Sequence, residues 1–246
     1  MSAMNWSDES IILSVRPHGE TAAIVEVLTR AHGRYVGLVY GGRSRKLRPV
    51  LQIGNHVDAS WKGRLPEHLG YMAVELKKSY AASAMEEALA LAGLTSLCAL
   101  ARLLPERDPH PRFYDMTMFV LSFLDDASVW PALYVRWELL LLGELGFGLD
   151  LSACVSTGAT DHLVYVSPNS GRAVSATAGE PYKDRLLPLP AFLRGSSSGE
   201  VRRSDVAAGL ALTGHFLEAR VLRPRELAFP EARGRFAALI GRLEDA

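Results

Sequence analysis

Between residues 30 and 64 the chain carries Arg30, Arg34, Arg43, Arg45, Lys46, Arg48, Lys62 and Arg64, opposed by Asp58 alone. Cations at this density repel one another unless a polyanion neutralises them. The chemistry they suit is neutralisation of phosphates along a nucleic-acid backbone. The densest part, Gly41-Gly42-Arg43-Ser44-Arg45-Lys46-Leu47-Arg48, reads as a flexible basic loop, and Lys62 and Arg64 bracket Gly63 in a second turn. A single-strand site also needs aromatic platforms for the bases. Tyr35, Tyr40, Trp61 and Tyr71 are available. Alternation puts Trp61 with Val57 and Ala59 on an apolar face, so Trp61 reads as core. Tyr35 and Tyr71 fall on the less apolar side and are the stacking candidates. The competing interpretation of the charge is a solvated basic face.

Other chemistry lacks its residues. There is no G-x-x-x-x-G-K-[ST], no G-x-S-x-G and no H-E-x-x-H. No D-x-D cluster suggests a metal-dependent nuclease. His110 lies between prolines and His215 within a helical stretch; neither has a triad spacing around it. The pattern points away from an enzyme. Cys154 has Val155-Ser156-Thr157-Gly158 after it and no second cysteine nearby. A structural zinc needs four ligands, so no metal is expected and Cys154 reads as a small buried hydrophobe.

The basic residues sit among five β-like runs: 9–16, 21–29, 34–41, 55–61 and 70–77. In the last two, Val57, Ala59 and Trp61 oppose His56, Asp58 and Ser60, and Met72, Val74 and Leu76 oppose Tyr71, Ala73 and Glu75. That is one buried and one wet face. Gly and Pro punctuate the runs, and none of the connections has room for a crossover helix. A small antiparallel barrel follows, with the five-stranded OB-fold the natural candidate and an SH3-like barrel close behind.

Beyond about residue 80 the period changes to helical. Residues 82–104 carry a broad apolar stripe, 113–124 a second and 130–145 a third, the last opened by Trp130-Pro131. Residues 150–183 have no helical period. There 163–166 and 172–176 flank Ser167-Pro168-Asn169-Ser170-Gly171, a hairpin with turn chemistry. Gly195 to Gly199 reads as a flexible loop. Ser204 or Asp205 can cap a helix running to about Leu222, and a last helix spans 230–243. The expected architecture is α+β: residues 1–80 a barrel, 81–246 a helical domain with a β insert at about 150–185.

Composition agrees with a folded chain. Of 246 residues 48% are hydrophobic and 22% charged, so wholesale disorder is excluded. The net charge is zero, but residues 1–78 hold 11 Lys and Arg against 7 Asp and Glu, and the remainder 16 against 20. The polyanion partner therefore belongs to the first part. The opening residues are too polar for a secretory signal and no apolar run reaches the ~18 residues of a membrane span. Two cysteines cannot make a disulfide scaffold. A soluble cytoplasmic protein is expected.

Several stretches, in order, resemble the RecO family of bacterial recombination mediators. They are Glu9-Ser10-Ile11-Ile12-Leu13 with Gly19-Glu20-Thr21-Ala22, then Gly33-Arg34-Tyr35-Val36-Gly37 leading into Gly41-Gly42-Arg43-Ser44-Arg45. Leu103-Leu104-Pro105-Glu106-Arg107-Asp108-Pro109 and the 137–151 helix end follow. The insert adds Cys154-Val155-Ser156-Thr157-Gly158, Tyr165-Val166-Ser167-Pro168 and Ser170-Gly171-Arg172.

The resemblance implies an OB-fold followed by a helical domain with a zinc-finger-like insert. It implies binding of single- and double-stranded DNA, strand annealing, association with the nucleoid, and help in loading RecA onto coated single strands. RecR and the acidic tail of the single-stranded-DNA-binding protein are the implied partners. Arg136, set in an apolar helix, is a candidate cation for that tail; an intramolecular carboxylate is the alternative partner. Members of the family often hold zinc with four cysteines, whereas this sequence keeps Cys154 and has Thr157 where a second ligand would stand. The DNA-binding candidates are Arg34, Arg43, Arg45, Lys46, Arg48, Lys62, Arg64, Tyr35 and Tyr71. An RNA-binding or protein-interaction scaffold is the alternative to an annealing protein.

Overall fold

The computed structural model describes residues 4–65, 68–194 and 200–242. The chain divides into two compact units after Ala127.

The first unit is built on five strands: β1 (Met4–His18), β2 (Ala22–Thr29), β3 (Arg34–Val39), β4 (His56–Gly63) and β5 (Tyr71–Lys78). They close into a barrel in the order β1-β2-β3-β5-β4, the OB-fold arrangement. β1 serves both ends of this order. Its first half pairs with β4 from Met4 to Ile11, and its second half with β2 from Ser10 to His18. A register shift between Ile12 and Ser14 bends it. Four of the five contacts are antiparallel. Closure itself is parallel, through Leu38 of β3 opposite Tyr71 of β5, with the Leu38 N–H donating to the Gly70 carbonyl at 3.0 Å. A wholly antiparallel barrel is thus corrected at one seam.

Trp6, Tyr35 and Trp61 fill the barrel, with ring centroids 5.0 to 6.3 Å apart. Such ring pairs are worth about 1 kcal/mol each beyond their buried area. The Trp61 indole needs space on every side. A Cβ on Gly70 would stand 2.4 Å from the ring, one on Gly63 2.3 Å, and one on Gly37 2.6 Å from the Met72 Cβ and 3.2 Å from the indole. Glycine at these positions is a packing requirement.

Three helices follow: α1 (Tyr80–Ala84), α2 (Ala88–Ala101) and α3 (Pro111–Ser122). All three fall within the first compact unit, which runs to Ala127. α2 packs on β1, where the Cys98 thiol meets the Ile12 carbonyl. That second cover explains why Ile11, Ile12 and Leu13 are all buried in succession. The Gly33 Cα meets the Asp108 carbonyl so closely that a Cβ would overlap it. Arg107 donates from its N–H to the Arg34 carbonyl at 2.8 Å, and Arg34 Nε to the Leu104 carbonyl at 2.9 Å. The stretches around Gly33-Arg34 and Leu104–Asp108, far apart in sequence, therefore lie against one another.

The second unit holds α4 (Trp130–Glu144), strands β6 (Leu163–Val166) and β7 (Ala173–Ser175), the short α5 (Ala176–Gly179), β8 (Leu187–Pro188), α6 (Arg203–Phe216) and α7 (Glu231–Arg242). The insert is three-stranded, β7-β6-β8, rather than a lone hairpin. α6 starts one residue before the expected cap. Asp205 still caps it, by accepting from the Arg202 N–H at 3.0 Å. The chain then continues as a π-helical turn, Leu217–Leu222. The segment Gly195 to Gly199 lies outside the described residues. Trp130, Tyr134, Trp137 and Phe236 form the core. At its centre the buried Glu138 accepts from Arg233 Nε at 2.6 Å and Nη2 at 3.0 Å, and from Thr213. No helix among the described residues is long and apolar enough to cross a membrane.

Candidate nucleic-acid interface

The basic stretch after β3 is coiled rather than loose. Ser44 N–H donates to Gly41 O at 2.8 Å, Arg48 N–H to Ser44 O at 3.0 Å and Leu51 N–H to Leu47 O at 2.8 Å. Leu47, Val50 and Leu51 turn inward onto the barrel core. Arg45, Lys46 and Arg48 stay exposed. Asn55 holds the coil down. Its buried amide donates to Pro49 and Val50 carbonyls at 3.0 Å, and its oxygen accepts from Ser79 and from the first turn of α1. Anchored apolar residues with cations between them make a positioned array, which a floppy loop would not. Arg43 also points to solvent and is braced by the Gly19 and Glu20 carbonyls at 3.2 and 3.0 Å.

Two pockets take lining residues from this coil. One, of about 430 Å³, is lined by Arg43 and Arg48 with Val15, Pro17 and Leu51. The other, of about 750 Å³, has Leu47, Trp61 and Met72 in its wall and Lys62, Tyr40 and Tyr71 around it. Lys62 is exposed at the penultimate position of β4, and Arg64 is exposed just beyond that strand. Arg43, Arg45, Lys46, Arg48 and Lys62 thus gather about one coil at one end of the barrel, and Arg64 follows Lys62 by two residues.

Tyr71 is 53% exposed, as expected for the wet side of β5. Its neighbour is Tyr40, 64% exposed, with ring centroids 5.1 Å apart and planes 23° from parallel. The Tyr40 hydroxyl is raised above the usual tyrosine value, chiefly because its own O–H is engaged in a side-chain hydrogen bond with Tyr71. The parallel seam explains the pair: pairing Leu38 with Tyr71 carries the end of β3 to the start of β5. Spacing within one strand could not reveal that Tyr40 meets Tyr71. The OB-fold strand order could have.

Two candidates are corrected. Arg34 is consumed inside the unit: its guanidinium meets Glu26, with the Leu104 carbonyl and Glu106 beside it. Tyr35 is 4% exposed and packs edge-on against Trp6 and Trp61. It shares the inner face of β3 with Gly37 and Val39. Gly37 made that face look weakly apolar, yet glycine is there because Trp61 and Met72 occupy its space. Arg30, part of the charge excess, is held by Asp115 through two bonds of 2.8 and 3.0 Å.

Farther along the outer face of β4 and β5, away from Lys62 and Tyr71, the charge reverses. Glu9, Asp58 and Glu75 stand opposite one another across the three strands. Like charges in register are unfavourable, and Lys77 relieves them by pairing with Glu9 and Asp58. A polyanion would avoid this stretch, whereas Lys62 and Tyr71 project from the same face four residues away along β4 and β5.

In the second unit Arg136 is exposed and donates to the Phe192 carbonyl at 2.6 Å, not to the carboxylate considered for it. Cys154 is buried and its sulfur accepts from the Ser175 N–H at 3.3 Å. Among the described residues no three His, Cys, Asp or Glu side chains are grouped to hold a metal ion.

Comparison with known proteins identifies the family. The family model described as Recombination protein O N terminal matches residues 1–80, and Recombination protein O C terminal matches residues 85–227. Proteins named DNA repair protein RecO are similar along almost their whole length. That of Methylorubrum extorquens is 53% identical, over 96% of this chain and 98% of its own. That of Rhodospirillum centenum is 53% identical, over 95% and 93%. That of Rhodopseudomonas palustris (strain TIE-1) is 54% identical, over 97% of each. The chain belongs to the RecO family.

Proposed function

We propose that this RecO-family chain acts in DNA repair and recombination as a mediator. It binds single- and double-stranded DNA, anneals complementary strands, and helps load RecA onto strands coated by the single-stranded-DNA-binding protein. The observation that carries the DNA-binding part is the anchored coil, with Arg43, Arg45, Lys46 and Arg48 on it and Lys62 beside it. Annealing needs no bond chemistry. It needs phosphates neutralised so that two strands approach, and bases left accessible while they search. The coil and the exposed Arg64 supply the neutralisation. The acid row of Glu9, Asp58 and Glu75 confines strands to the other end of the barrel.

RecR and the acidic tail of the single-stranded-DNA-binding protein are the proposed protein partners, and the family is what supports them. Arg136 is a candidate for the tail because it is exposed and held in place by the Phe192 carbonyl. A metal plays no part in this proposal, and the function lies with the nucleoid in the cytoplasm. The experiment is annealing of complementary oligonucleotides, bare and precoated with the binding protein, without nucleotide or metal. Annealing of both supports the mediator; binding of structured RNA with no annealing would replace it with a scaffold.

A further inference from the structure

Neutralising phosphates requires cations only, yet the same end of the barrel exposes two tyrosines in ring contact. Such a pair leaves apolar area in water. A binding site for a planar group is one reason to keep it there. Both rings border the pocket of about 750 Å³, whose wall includes Trp61, Met72 and Leu47 and whose rim carries Lys62. Lys62 lines the same cavity as the two rings, so planar and cationic contacts border one space. A polymer that alternates aromatic rings with negative charge fits this arrangement. The rings of a duplex are stacked on one another and do not offer a free face; those of a single strand do.

We propose that Tyr40 and Tyr71 form the platform for an unpaired nucleobase, and that this platform sets the preference of the barrel for single strands over duplex. The inference rests on the DNA-binding function proposed above. At 5.1 Å the two rings are already in contact, so a base adds to the outer face of the pair and extends the stack. Duplex is then held by the cations without help from the tyrosines.

The test compares wild type with the Tyr40→Leu, Tyr71→Leu double variant, on an oligo(dT) and on a duplex of equal length at one salt concentration. Both side chains are exposed, so an unchanged thermal transition checks the fold. Single-strand affinity should fall about tenfold, the value of one lost base stack, with duplex affinity and the salt slope unchanged. A single 2-aminopurine in the oligonucleotide should be quenched by wild type and not by the variant. Equal losses on both substrates, or no loss on the single strand, overturn the platform while leaving DNA binding standing. Wild type that binds neither substrate overturns both.

Discussion

Arg34 on β3 gives its guanidinium to Glu26 on β2, whose side chain is only 4% exposed. Arg102 and Ser14 complete the shell at 2.8 and 3.0 Å. The group joins three strands to the end of α2. Removing one partner of a buried pair leaves a stranded charge. Arg34→Ala should therefore cost about 3 kcal/mol, the lower end of that range because Arg102 remains. Urea denaturation should show a lower midpoint, and the salt slope of DNA binding should not change. Full stability with weakened DNA binding would return Arg34 to the track.

Acid should find the same group. Burial by itself would raise the Glu26 carboxyl; the Arg34 hydrogen bond and charge, with Arg102, outweigh it and hold the group below its ordinary value. A depressed carboxyl stabilises the fold above its unfolded value of 4.5 and loses that contribution as pH falls through the lower folded value. Wild type should lose stability on acidification below about pH 4.5 more steeply than Glu26→Gln. Parallel stability–pH curves would contradict the assignment.

Gly37 makes a different forecast. A methyl there meets the Met72 Cβ at 2.6 Å and the Trp61 ring at 3.2 Å. Overpacking a filled core costs about 1 to 3 kcal/mol. Gly37→Ala should lower the denaturation midpoint and shift tryptophan emission, because Trp61 must move. Unchanged emission and stability would mean the ring has slack.

In the second unit, Arg233→Ala strands Glu138 in the core and should cost about 3 to 5 kcal/mol. Replacing both with apolar residues, Arg233→Met with Glu138→Leu, should recover much of that loss. The double variant being worse than the single would show that the pair is net stabilising.

What was legible in the sequence follows from period and composition. Alternation in 55–61 and 70–77 placed Trp61 inside and Tyr71 outside, because each strand has one wet face. The same rule misplaced Tyr35, since Gly37 on the inner face is small for the sake of Trp61, a residue 24 positions away. Arg34 looked like its basic neighbours because its partners, Glu26, Glu106 and the Leu104 carbonyl, lie on another strand or far along the chain. Tyr40 meets Tyr71 through the parallel seam between β3 and β5, which local spacing does not encode. The coil over 41–52 was hidden for a related reason: glycines and cations suggested flexibility, while Asn55 and the inward Leu47 and Leu51 impose order from outside the stretch.

The most direct measurement is the salt dependence of oligonucleotide binding. With about five of the six available cations on phosphates, log affinity should fall against log salt with a slope of about −3.5 on single strands. Arg45→Ala, Lys46→Ala and Arg48→Ala together should flatten that slope by about 2 for every sequence tried. A wild-type slope near zero, or a triple variant with the wild-type slope, would contradict a phosphate track at this end of the barrel.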